Sequence, residues 1–320
     1  MKFKINSFVV AIVGSIALAW LYPEPVTSSG NFPINTVTTI GISLIFFFYG
    51  LKLSPEKIRA GVKNWKLHVV IQSATFLLFP LLVMAVYPFV PPGRHTLWLA
   101  FLFLAALPST VSSSVVMVSV AKGNIAAAIF NASISGLIGI AVTPLWIGLF
   151  LQKANADFLL EAIYFNLLIE ILLPVIAGLL LQRFTRRLIA KFGKYLSLFD
   201  KAVVLLIIYK SFATSFEERV FSSVSGLDFL LIMLAVVALF YTVYGVIRAG
   251  ARWLGFDRED TIAALFCGTK KSLVHGTVFA KVLFPASAAL GMVLLPVMIF
   301  HAFQIFVISV IAERYGAEKE

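Results

Sequence analysis

Ten apolar runs follow one another along this chain, most of them near twenty residues long, with charge gathered in the stretches between them. Such a run, wound as a helix at ~1.5 Å per residue, crosses the ~30 Å hydrocarbon core of a bilayer. Backbone placed in lipid has to satisfy its own amides and carbonyls, which a helix does within one segment. The composition agrees: 60% of residues are hydrophobic and 13% charged, against ~45–50% and ~25% in soluble domains. The mean hydropathy is +0.98. The expected fold class is an all-α polytopic membrane protein with ten transmembrane helices.

The runs cover residues 8–21, 33–51, 67–89, 97–121, 124–151, 158–181, 196–214, 227–247, 261–284 and 286–312. Lys52, Lys57, Arg59, Lys63 and Lys66 mark one strongly basic loop, with an amphipathic half-helix in it. Arg183, Arg186, Arg187, Lys191 and Lys194 mark a second. With the N-terminus inside, both loops, Lys2, Lys4, Lys122, Arg248, Arg252, Arg258 and Arg314 fall on one side. The other side receives only Arg94, Lys153, Arg219 and Lys281. Excess Lys and Arg marks the cytoplasmic face, so both termini are expected in the cytoplasm, and the expected membrane is the bacterial inner membrane.

Several classes drop out. The single cysteine, Cys267, excludes a disulfide framework and a cysteine-based metal cluster. A net charge of +11 is compatible with nucleic acid, but its placement in short loops between apolar runs belongs to a membrane, so lipid is the expected partner and nucleic acid is not. No nucleotide-binding loop, zinc-binding His-Glu-x-x-His or nucleophile motif is present. No enzyme is expected.

Within the ninth run stands Phe266-Cys267-Gly268-Thr269-Lys270-Lys271-Ser272. Two adjacent lysines ten residues into a span lie about 15 Å deep, near mid-membrane. Ammonium groups there have to face protein, a water-filled cavity or counter-ions, which makes them site candidates. Adjacent helical residues point ~100° apart, so both can face one cavity only where the backbone is unwound, as Gly268 permits.

The halves also repeat. Thr110-Val111-Ser112-Ser113 precedes Ala121-Lys122 as Thr269-Lys270-Lys271-Ser272 precedes Ala280-Lys281, and Pro144 precedes Gln152 as Pro296 precedes Gln304. Five spans per half make the repeats inverted: 1–152 and 153–320. Inverted repeats with interrupted spans at matching positions point to a transporter's binding site. Pro108 interrupts span four, followed by hydroxyls at Ser109, Thr110, Ser112, Ser113 and Ser114. Gly268 interrupts span nine. Broken-helix ends offer amides to an anion or carbonyls to a cation.

Tyr49-Gly50-Leu51-Lys52-Leu53-Ser54, the stretch from Thr75 to Pro80, the first break with its Ala121-Lys122-Gly123-Asn124 junction, and Gly268 to Ser272 occur in an order that resembles the bile acid:sodium symporter superfamily. The resemblance covers nearly the whole chain and is nearest to the prokaryotic branch and to the vertebrate member of uncertain substrate. It implies a panel domain of helices 1, 2, 6 and 7 and a core domain of helices 3–5 and 8–10. Helices 4 and 9 would cross at their unwound centres, with sodium and a small organic anion bound beside them.

The function so implied is a secondary active transporter, a symporter of an organic anion. The alternatives are a proton-coupled or uncoupled carrier, or a regulatory membrane protein that does not transport. The expected substrate-binding residues are Thr110, Ser113, Ser114, Thr269, Lys270, Lys271 and His275. The expected ion-binding residues are Thr75, Ser112, Ser113, Ser114, Asn131 and Gly268, where sodium is the one ion in question; no other cofactor is expected. The chain departs from the family pattern where sodium is held: Phe266 stands in place of a glutamate, Lys270 and Lys271 in place of glutamine and asparagine, and Ala128 and Ala132 in place of hydroxyls. Altered sodium dependence is expected, one lysine replacing the ion's charge while the other meets an anionic substrate or Glu170.

Overall fold

The computed structural model describes residues 7–27, 33–52, 64–110, 112–154, 165, 168–217, 219, 225–284 and 290–317. Among them the regular elements are all helices. They are α1 (Ser7–Leu21), α2 (Ile34–Lys52), α3 (Trp65–Ser73), α4 (Phe79–Val86), α5 (His95–Ala106), α6 (Ser112–Val120) and α7 (Ile125–Ala154). Then come α8 (Leu173–Glu217), α9 (Gly226–Trp253), α10 (Arg258–Gly268), α11 (Leu273–Leu283) and α12 (Leu290–Ala317). A π-helical turn, Ala74–Leu78, joins α3 to α4.

Among the described residues six stretches are long and apolar enough to cross a membrane: Ile34–Lys52, Trp65–Phe89, Ile125–Phe150, Leu168–Thr185, Gly226–Trp253 and Leu290–Ala317. Val10–Leu21 is a shorter apolar helix. Expected spans four and nine are each split, into α5 with α6 and α10 with α11. Large apolar side chains stand outward on these helices, among them Val13 at 62%, Leu180 at 69% and Leu234 at 56% exposure. Outward leucine and valine on long helices suit lipid as the surrounding solvent. The chain is a multi-pass membrane protein, all-helical in the regular structure of its described residues.

The helices cluster into two units. The first comprises residues 1–53, 159–225 and 277–294, and the second comprises 54–158, 226–276 and 295–320. The last part of the first unit comes from the expected ninth and tenth spans.

In the first unit α2 and α8 touch backbone to backbone. A Cβ on Gly50 would lie 2.2 Å from the Val175 carbonyl oxygen, and one on Gly178 would lie 2.2 Å from that of Phe47. Small residues allow this approach, which gains dispersion contacts in a setting with no hydrophobic drive between helices. Farther along α8, Val203 packs on Gly41 and Phe199 stands edge-on to Phe48 at 5.5 Å. Were α8 straight, residues 175 and 199 would be about 36 Å apart, yet Gly50 and Phe48, their neighbours on α2, are separated by one residue. The helical run therefore turns back on itself. Its turning part includes 183–194, expected as a basic loop but helical here, since Lys and Arg are good helix formers. The first basic loop lies mostly outside the described residues. Asp200 pairs with Lys52 at 3.0 Å, whereas Lys201 stands over the Phe8 ring.

In the second unit the Ala121-Lys122-Gly123-Asn124 junction ends one helix and begins the next. Lys122 takes φ +56°, and the Gly123 amide reaches back to the Val118 carbonyl at 2.9 Å, closing α6. Asn124 caps α7 by accepting from the Ala127 amide at 2.9 Å. Its side-chain amide donates to Asp260 at 2.7 Å, and Asn64 donates to the other oxygen of the same carboxylate. Asp260 stands in the first turn of α10, which Asp257 caps at 2.7 Å, where negative charge favours the helix dipole. Gly123 is needed because a Cβ there would meet Ile262 at 2.6 Å.

Candidate functional site

The two breaks are stitched together within the second unit. After α5 ends at Ala106, Leu107 is extended (φ −68°, ψ 149°), as expected of a residue before proline. The Pro108 carbonyl accepts from the Ser272 amide at 2.9 Å. Ser109 donates its hydroxyl to the Cys267 carbonyl at 2.6 Å while its amide donates to Ser135 at 2.9 Å. Ser114 reaches the Phe266 carbonyl at 3.4 Å, and Thr143 takes the Ala106 carbonyl at 2.8 Å. The carbonyls freed where the helices stop are thus satisfied by hydroxyls and amides from elsewhere, which buried backbone requires.

Lys271 completes this set. Its ammonium donates to the carbonyls of Thr75 at 2.7 Å, Ala105 at 2.6 Å and Leu107 at 2.8 Å. The nitrogen also lies 4.2 Å from the centre of the Phe79 ring, a cation–π distance. The Thr75 carbonyl is free for a reason legible in the backbone. In the π turn the Phe79 amide bonds to Ala74, so the next acceptor, Thr75, would need the amide of residue 80, which is proline. The Phe76 carbonyl, four residues before Pro80, is taken by the Trp146 indole at 2.9 Å. Lys271 is also pinned through its backbone: its amide donates to Gln304 Oε1 at 2.8 Å and its carbonyl accepts from Gln304 Nε2 at 2.7 Å.

Lys270 is placed differently. It is 0% exposed and Lys271 is 1% exposed, but among the described residues the Lys270 ammonium donates to one hydroxyl, Ser113 Oγ, at 3.3 Å. Ser113 lies in the first turn of α6, where a helix carries its positive dipole end. Neither lysine forms an ion pair with a described carboxylate; the described pairs join Lys52 to Asp200 and Arg94 to Asp228. Glu170, expected as a counter-ion, interacts electrostatically with Lys281. Lys281 itself donates to Thr39 at 2.9 Å and to Thr38 at 2.5 Å.

The other expected residues fall as follows. Thr110 Oγ1 bonds to Ser114 at 2.8 Å and accepts from Ser113 at 2.9 Å, so these hydroxyls form one chain beside Lys270. Thr269 donates back to Leu265 at 2.6 Å at the end of α10, and Gly268 packs so that a Cβ would meet Ile247 at 2.8 Å. His275 Nδ1 bonds to Ser272 at 2.9 Å. The Thr75 hydroxyl donates to Ile71 at 2.8 Å, and its carbonyl accepts from Lys271. Asn131 is engaged on both sides: its carbonyl oxygen accepts from Gln72 at 3.0 Å, and its amide bonds to His68 at 2.8 Å and Ala127 at 2.9 Å. The Ser112 side chain lies outside the described residues.

Ser109 belongs to the hydroxyl cluster expected at the Pro108 break and satisfies a freed carbonyl there, whereas Gln304, Thr143 and Phe79 were not expected at the site. Gln304 carried a signal, since it marks the repeat with Pro296; the others carried none. A separate cavity of about 510 Å³ lies among α4, α5 and α9. It is lined mainly by apolar side chains, including Trp98, Phe101 and Leu231, and none of the break residues borders it.

Comparison with known proteins gives the chain a family. Residues 6–317 match the SBF-like CPA transporter family. The putative symporter YfeH of Escherichia coli is 34% identical over 99% of this chain and 94% of its own length. Sodium/bile acid cotransporter 7 of Danio rerio is 30% identical over 95% of this chain and 91% of its own. Its counterpart in Rattus norvegicus is 29% identical over 95% and 90%. Family and relatives are named for transport and not for an enzymatic reaction. With 6–317 matched end to end, this chain belongs to the SBF-like CPA transporter family.

Proposed function

We propose that this protein is a secondary active transporter of a small organic anion, which binds at Lys270 beside the two broken helices. One observation carries the reading: a buried ammonium at the first turn of α6, with one hydroxyl partner among the described residues, at 3.3 Å. Positive charge placed at the positive end of a helix is unfavourable by itself. A carboxylate, sulfonate or phosphate bound there would offset both the ammonium and the dipole, and would gain the neighbouring amides. The hydroxyl chain of Thr110, Ser113 and Ser114 supplies uncharged donors beside it, with His275 and Thr269 on the adjoining break.

The names of the vertebrate relatives raise sodium as the coupling ion. The residues expected to hold it are engaged elsewhere: Asn131 Oδ1 accepts from Gln72 and its amide is bonded to His68 and Ala127, the Thr75 hydroxyl is turned to its own helix, and the Thr75 carbonyl holds Lys271. Transport coupled to protons, or uncoupled, is the reading these residues favour. A ten-span inverted repeat in the bacterial inner membrane completes the proposal, with cytoplasmic termini supported by the asymmetry of Lys and Arg along the sequence.

Counterflow of labelled organic anions in proteoliposomes tests the reading, run in sodium, in potassium and at several pH values. Exchange that depends on the protein, persists without sodium and is lost in Lys270→Gln is expected. No protein-dependent exchange of any anion would leave a non-transporting role.

A further inference from the structure

We infer that the Lys271 ammonium is a built-in cation: it fills a monovalent-cation site formed by the carbonyls of Thr75, Ala105 and Leu107. The intact chain thereby keeps that site closed to sodium, and removal of the amine opens it to an alkali ion. The inference takes its meaning for coupling from the transporter reading, but its test reads cation binding and needs no cargo.

The geometry is that of an ion site with a tether. An ammonium has three N–H donors and no acceptor, and three carbonyl oxygens receive them at 2.6–2.8 Å. These are charge-assisted distances. A neutral amine would turn its lone pair on one of these oxygens, and the three are all acceptors. The face of Phe79 closes another side at 4.2 Å and also attracts a cation rather than a neutral group. Carbonyl oxygens are the hard donors that replace hydration around alkali ions in filters and transporter sites.

The oxygens do not depend on the lysine for their availability. Pro80 and the π turn leave the Thr75 carbonyl without an in-helix donor. The end of α5 leaves Ala105 and Leu107 pointing off a helix C-terminus, where the dipole favours positive charge. Bonds to Gln304 on both sides of its peptide fix where the Lys271 side chain starts. A cage made by one set of elements and a charge delivered by another can be separated by mutation.

The test is thermal unfolding of the purified full-length protein in detergent, in sodium, potassium or choline chloride at equal ionic strength. The unfolding midpoint of the wild type should be the same in all three salts. Lys271→Ala should unfold at a lower temperature in choline. Its midpoint should recover with rising sodium or potassium and saturate, as for a ligand that binds only the folded state. Lys271→Met, whose side chain still fills the path of the lysine stem, should be destabilised without such recovery. A folded Lys271→Ala that ignores alkali ions would overturn the inference. If that variant does not fold in any salt, the wild type decides: saturable stabilisation by sodium but not choline would overturn the inference, and salt-independent midpoints uphold it. None of these outcomes depends on whether an organic anion is carried, so the cargo reading and the built-in cation fail separately.

Discussion

The two breaks solve the same structural problem with opposite chemistry. The first, around Pro108, is rich in acceptors: the carbonyls of Ala105, Ala106, Leu107 and Pro108 are each taken by a donor from another element. The second, around Gly268, has no proline and carries the donors, namely the Lys271 ammonium and the Ser272 amide. It gives back two carbonyls, Cys267 and Phe266, to Ser109 and Ser114. A proline-made break creates a surplus of carbonyls that a cation or a set of hydroxyls has to absorb. A cationic break needs that surplus. In repeat register the lysines correspond to Val111 and Ser112, so the symmetry of the sequence is broken where the charges are complementary. Lys271 spends its charge inside the fold, and Lys270 keeps its charge at the α6 terminus.

The largest expected effect tests that division. Lys271→Met removes the ammonium and leaves three buried carbonyls facing an apolar tip, which should cost ~3–5 kcal/mol, as for breaking a buried charge pair. Lys270→Met should cost under ~1 kcal/mol or even stabilise, because it removes a charge from the positive end of a helix. Unfolding midpoints of the two variants in detergent, compared side by side, check this. Equal losses would erase the difference between the lysines.

Ser109→Ala should cost ~1–3 kcal/mol, the penalty for leaving the buried Cys267 carbonyl without its donor. The same midpoint assay serves. A neutral result would show that the breaks are held by the lysine cage alone. In the first unit, Gly178→Ala should cost ~1–3 kcal/mol by overpacking against the Phe47 carbonyl, without changing any response to salt or anion. A change in either response would mean that the α2–α8 contact tunes the site.

The smallest effect belongs to Pro80→Ala. The new amide can take a helical carbonyl that Trp146 or Lys271 already satisfies, so stability should move by under ~1 kcal/mol. Amide hydrogen exchange at residue 80 should show a protected proton. A loss as large as that of Lys271→Met would mean that the proline itself, not the placement of carbonyls, holds the cage together.

The places where the spans break were legible, because Pro108 removes an amide and Gly268 frees the backbone, and both effects belong to a residue type. That two lysines near mid-span need partners was also legible. The partners were not. Glu170 and an anionic cargo were the side-chain and ligand options, whereas Lys271 uses three carbonyls, and a carbonyl has no letter in a sequence. The Thr75 oxygen is exposed by a π turn, a change of hydrogen-bond register that no local composition reveals. Gln304 was visible as a repeat marker without a role, because its partner is the Lys271 peptide, in an element 33 residues away. The stretch 183–194 reads as a loop through its charge, yet charge does not interrupt a helix when the residues are Lys and Arg. Its turn back on α2 is read from Gly41, Gly50 and Gly178, whose missing side chains mark close contact only once the contact is seen.

The proposed division of labour has Lys270 meet an anion and commits Lys271 to the fold. Its most direct test is the anion-induced thermal shift of the wild type, Lys270→Gln and Lys271→Gln, measured with carboxylate, sulfonate and phosphate compounds on purified protein. Lys270→Gln should keep a near wild-type midpoint and lose the shift. Lys271→Gln should start from a lower midpoint and still be shifted by the same anion. Anion affinity unchanged in both variants would contradict the account, leaving both lysines structural and the cargo site elsewhere.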